Sequence, residues 1–133
     1  MFTSLLFAAA LQAGAAVPPQ AIVRRAVERL DMGSFRNSLA PAVERRPRTL
    51  RQLGNHRYAW EEGALEVTEA DGSWVRIFKP LRSPRGRVRL CFTDQALNGG
   101  TYLTSEAIEL SPVRGGGYRA RPITHHDCES YAR

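Results

Sequence analysis

Between Asp71 and Asp94 the chain carries six cationic side chains and no acid, interleaved with Trp74 and Phe78. Guanidinium groups laid over aromatic rings make a surface cationic and adhesive at once. Paired arginines can also grip a phosphate or carboxylate through two parallel N–H bonds. Trp74, Arg76, Phe78, Arg82, Arg87 and Arg89 therefore form the candidate ligand-binding set. The same residues have a plainer use, in which arginine stems cover the rings while acids such as Glu66 neutralise the heads.

A second cluster, His125-His126-Asp127, precedes Cys128 near the C-terminus. It invites catalytic and metal readings, and both lack specificity. Adjacent residues on an extended chain point to opposite sides, so one ion would need ligands from elsewhere, such as His56. There is no i, i+4 histidine pair of the kind that marks a zinc helix, and no metal site is expected. Nucleophilic catalysis needs Ser or Cys beside a base and an orienting acid. The serines here fall in turns, no G-x-S-x-G is present, and Glu61-Glu62 read as a solvated turn rather than converging acids. No P-loop or dinucleotide fingerprint appears, so no catalytic residue and no cofactor are assigned. His125 and His126 join the ligand-binding set instead, because the tail should reach the arginine surface.

That reach depends on two cysteines, Cys91 and Cys128. In an exported chain an even count argues for a bridge, and two allow one connectivity. Closing a loop of about 38 residues would stabilise the fold by roughly 4 kcal/mol on the chain-entropy view. Export itself is read from the first residues. No charged side chain precedes Arg24, Leu5 to Leu11 is apolar, and Ala13-Gly14-Ala15-Ala16 supplies small residues for cleavage. This pattern predicts a signal peptide over 1–16, cut after Ala15 or Ala16, although Lys and Arg are missing ahead of the apolar run. The run is too short to span a membrane. A periplasmic or secreted location follows, which makes nucleic acid an unsuitable partner.

Removing 16 of 133 residues leaves 117, one domain's worth, with 25 Leu, Ile, Val and Phe to build a core. That fraction, about a fifth, is near the lower limit for a packed interior. The net charge of +6 favours anionic partners without naming one, such as an envelope component or an acidic protein.

The elements that must position these groups begin with one amphipathic helix, Pro19 to Met32. Ile22, Ala26 and Leu30 lie on one side with Val23 and Val27, and Gly33 serves as the stop. From Ser34 to Asn55 the pattern lapses into loop, with Pro41, Pro47 and several arginines. Asn37 and Asn98-Gly99-Gly100 read as turn formers. From Tyr58 the chain reads as antiparallel strands.

Register decides which residues share a face. A two-residue Asp71-Gly72 turn would pair Glu69 with Trp74 and set Leu65 and Val67 against the face of Val75 and Ile77. A three-residue turn pairs Val67 with Val75, Leu65 with Ile77 and Glu66 with Arg76, so the apolar faces agree. The second register is the one expected. Pairing Arg82 with Arg87 then adds Leu81, Val88, Leu90 and Phe92 to the helix-covered face. Trp74, Arg76, Phe78, Arg82, Arg87, Arg89 and Cys91 fall together on the other.

The expected architecture is α+β: one N-terminal helix on an antiparallel sheet of about five strands, with a disulfide-tied tail. The expected function is an exported, non-enzymatic module that binds an anionic ligand or protein through the arginine and aromatic face. Two alternatives stay open: a small periplasmic enzyme using His125, His126 and Asp127, or an inhibitor of an acidic envelope hydrolase.

Overall fold

The computed structural model describes residues 15–43, 48–128 and 131–132. The expected leader lies outside the described residues except for Ala15 and Ala16. Those two form a short strand, β1 (Ala15–Ala16), paired with β5 (Ser83–Pro84).

Helix α1 (Gln20–Glu28) starts from Pro19, whose carbonyl accepts from the Ile22 and Val23 amides at 3.0 and 3.1 Å. It buries Val23, Ala26 and Val27, followed by Leu30, while Ile22 stays exposed. Each fully buried Val or Leu contributes about 1.5–3 kcal/mol by leaving water. The helix stops earlier than its apolar pattern suggests because the sheet claims its end. The Tyr118 amide donates to the Arg29 carbonyl at 3.0 Å, and the Asp31 amide donates to Tyr118 O at 2.8 Å. Leu30 and Asp31 are thus in bridge geometry, not helical.

The following loop is more ordered than its composition implies. It contains a 3-10 turn at Ala40–Val43 and a second helix, α2 (Leu50–Leu53). Thr49 and Gln52 cap α2 reciprocally, each side chain accepting from the other's backbone N–H. The single-helix expectation is corrected on this point.

The main sheet is antiparallel, with six strands in the order β2 (His56–Glu61), β3 (Ala64–Glu69), β4 (Trp74–Pro80), β6 (Val88–Ala96), β7 (Leu103–Pro112) and β8 (Tyr118–Ile123). A two-residue strand, β9 (Tyr131–Ala132), also pairs with β7. The estimate of about five strands fell short by one in the main sheet. β2 (HRYAWE) turns His56, Tyr58 and Trp60 to one half-buried face, with Tyr58 and Trp60 against the core, and these amphipathic side chains mark a strand less plainly than aliphatic ones. Glu62 and Gly63, at φ 50° and 78°, make the tight turn from β2 to β3.

The register is the one that apolar matching rejects. Leu65 lies opposite Phe78, Val67 opposite Arg76, and Thr68 opposite Val75. Pro80 lies opposite Leu90 and Phe78 opposite Phe92, again one residue from expectation. A slip of one residue exchanges the faces of β4. Phe78 is therefore buried beneath α1 among Leu65, Leu90 and Phe92, and Val75 and Ile77 lie on the outer face. Phe35, from the loop after α1, sets its ring edge against Phe92 at 5.2 Å.

On the outer face the expected disulfide is present. Cys91 on β6 joins Cys128, and Cys128 is buried against Leu81 and Ala107. Among the described residues no helix is long and apolar enough to cross a membrane.

Candidate functional site

The register divides the candidate set between two faces. Trp74, Arg76 and Phe78 belong to the helix-covered side, and Arg89 and Cys91 to the outer side, so the expected continuous arginine and aromatic surface does not form.

Arg76 is the side chain most changed by this. It is 1% exposed and sits directly opposite Asp94, which is fully buried. Its Nε lies 3.5 Å from Asp94 Oδ1, its Nη1 donates to Glu69 Oε1 at 3.1 Å, and its Nη2 donates to Ser38 Oγ at 2.8 Å. Asp94 is bound from three further directions. Ser38 donates through its amide and hydroxyl at 2.7 and 2.8 Å, and the Trp74 indole N–H donates at 2.5 Å. A buried charge is tolerated when its partners satisfy it, and loses several kcal/mol when one is removed. This cluster fastens the Phe35–Leu39 loop to the sheet. Asn37 holds the loop's shape, donating to the Met32 and Phe35 carbonyls at 2.7 and 2.9 Å and accepting from the Leu39 amide at 2.8 Å.

Beside this cluster, a hollow of about 420 Å³ is lined by Leu39, Leu53, Asn55, His56, Glu69 and Asp71, among others. Neither ring nitrogen of His56 makes a well-formed hydrogen bond, and the Gly54 backbone offers only a loose one. Burial first, and the Arg76 charge second, lower the pKa of this imidazole. Both effects favour the neutral ring.

The outer face carries a different cationic centre. Glu109 on β7 lies between Arg89 on β6 and Arg121 on β8, directly opposite each. Its carboxylate is 1% exposed, yet it lies under a thin lid of guanidinium groups rather than deep in the core. Arg87 Nη1 and Arg121 Nη2 donate to Oε1 at 2.7 and 2.9 Å, and Arg89 Nε donates to Oε2 at 2.7 Å. Burial alone would push the Glu109 pKa up. Hydrogen bonds from Arg89, Arg121 and Arg87, with the Arg121 charge, outweigh it and hold the carboxyl at about 2.

Three arginines against one acid leave a local charge of +2, and the guanidinium side chains stay 49%, 36% and 61% exposed at Arg87, Arg89 and Arg121. Each guanidinium has five N–H donors, so most remain available to a ligand. Arg119 shares the face two residues along β8 and is exposed. Arg121 and Glu109 were not singled out by the sequence reading. Their signal is a cross-strand ladder, visible once β6, β7 and β8 are in register.

The other candidates lie apart. Arg82 is exposed and donates to the Ala15 carbonyl at 3.3 Å. His125 and His126 occupy a turn ending at Cys128, and their rings stack at 4.7 Å with an 18° interplanar angle. The expectation that these adjacent histidines diverge is corrected, because it assumed an extended chain. Among the described residues no hydrogen bond or ion pair joins His125, His126 or Asp127 to Arg87 or Arg89.

No protein-family model, curated protein or solved structure matches this chain.

Proposed function

We propose that the protein is an exported binding module that holds an anionic group on its outer sheet face, through Arg87, Arg89 and Arg121. The observation that carries this reading is the charge imbalance at Glu109, where three half-exposed guanidinium groups meet one buried carboxylate. Glu109 acts as a brace. It holds the three heads around one carboxylate, at 2.7–2.9 Å, and so reduces the entropy lost when a ligand is gripped. The free N–H edges suit phosphate, sulfate or carboxylate oxygens. Trp74, Arg76 and Phe78 serve the interior instead and take no part in contact with the ligand.

Export is supported by the apolar start of the chain and by the Cys91–Cys128 bridge, a bond typical of oxidising compartments. An envelope polymer bearing phosphate or carboxylate, or an acidic protein, has the required chemistry.

Retention on phosphocellulose tests the reading. The R87Q/R121Q variant should elute at clearly lower salt than R51Q/R57Q, although each change takes the net charge from +6 to +4. Equal elution of the two variants would show that bulk charge, not this cluster, does the binding.

A further inference from the structure

The turn at His125-His126-Asp127 gathers two imidazoles and a carboxylate from three consecutive residues. One ligand atom from each lies within 4.8 Å of the others. His126 Nε2 and Asp127 Oδ1 are 3.3 Å apart. Two donors on a tetrahedral ion, each about 2.1 Å from it, are separated by about 3.4 Å, so this pair already has the spacing of a shared metal. The third donor requires one imidazole to turn out of the 4.7 Å stack, because nearly parallel rings cannot both aim their in-plane lone pairs at one ion. The Asp127 amide donates to His125 Nδ1 at 3.1 Å, so that nitrogen presents its lone pair to the inside of the turn. A cation on that nitrogen would displace this hydrogen bond, which the turn of the ring out of its stack also breaks.

What distinguishes this turn from a loose histidine-bearing tail is its anchorage. The Cys128 amide donates to the His125 carbonyl at 3.1 Å, closing the turn. Cys128 is in turn buried and covalently joined to Cys91 on β6. The backbone entropy of bringing the three donors into one turn is therefore met by folding and oxidation before any ion arrives, which leaves the side-chain rotamers to be ordered by the ion. On the outward side, His126 and Asp127 are 85% and 64% exposed, which leaves room for an ion to enter and keep water or an outside ligand.

The geometry points to a surface site for a divalent transition metal at His125, His126 and Asp127, whose turn is anchored by the Cys91–Cys128 bridge. Two nitrogens and one oxygen suit Cu²⁺, Ni²⁺ or Zn²⁺, with Cu²⁺ bound most tightly. Ca²⁺ and Mg²⁺, which take oxygen ligands, are the wrong class.

Titration of the oxidised full chain with Cu²⁺, followed by electron paramagnetic resonance, tests the assignment. One equivalent should bind with coupling to two nitrogens, and Zn²⁺ should compete for it while Ca²⁺ does not. The H125A/H126A variant, altered in an open turn, should bind about a hundredfold more weakly, because loss of even an outer-shell partner costs about 10–100-fold. D127N should weaken binding and leave the two-nitrogen coupling in place. The C91S/C128S variant, which keeps every donor, should also bind more weakly. Cu²⁺ binding that survives H125A/H126A unchanged, or a wild-type spectrum with fewer than two nitrogens, would overturn the assignment. Full affinity in folded C91S/C128S would overturn the role given to the disulfide.

Discussion

Replacing Glu109 by Gln keeps its shape and removes the one negative charge beneath three arginines. The carboxyl falls from its ordinary 4.5 to about 2 in the folded protein. At about 1.36 kcal/mol per pH unit, that difference corresponds to about 3.4 kcal/mol of stability at neutral pH. The arginine side chains are 36–61% exposed, and solvent screening reduces the figure to roughly half, about 1.5–2 kcal/mol. Because the folded pKa is depressed, this contribution is complete above about pH 5 and disappears as pH falls through 4.5 towards 2.

At pH 3 about two-fifths of it should remain. Urea unfolding at low salt, for wild type and E109Q side by side, measures the gap at each pH. E109Q should unfold at lower urea at pH 7, with a gap that shrinks by more than half at pH 3. A gap unchanged between the two pH values would mean that Glu109 is not stabilised as an anion. No gap at pH 7 would mean that the three arginines do not depend on it.

The register makes its own prediction. Phe78→Ala empties a fully buried position and should cost about 3–5 kcal/mol, whereas Ile77→Ala, half-buried on the outer face, should cost less than the roughly 2 kcal/mol at which core Ile→Ala losses begin. Urea midpoints in the opposite order would restore the slipped register. Intact mass of the exported protein should show a chain beginning at Ala16 or Val17, about 2 Da lighter than its reduced sequence mass. A full-length, reduced species as the sole product would remove the case for export.

The sequence by itself determined what depends on neighbouring residues or on chemistry without alternatives. Two cysteines admit only one bridge, and the bridge is present. The 3.6-residue spacing of Val23, Val27 and Leu30 marks the buried stripe of α1. Gly72, at φ 73°, marks the turn into β4. The capping box at Thr49 and Gln52 is likewise a local signal, a Thr followed three residues on by Gln.

Tertiary structure alone decided which way β4 faces. Matching apolar residues across a hairpin is sound when every buried position is apolar, and here one is Arg76. Its burial is acceptable because Asp94, eighteen residues on, lies directly opposite, and Ser38 and Glu69 meet it from two other segments. None of those partners can be assigned until the strands are aligned. Glu109 is the same case on the other face: its three arginines come from the strand on either side and from the turn before β6. Local pattern records how polar a residue is. Whether a charge can be buried depends on what the fold brings within about 3 Å of it.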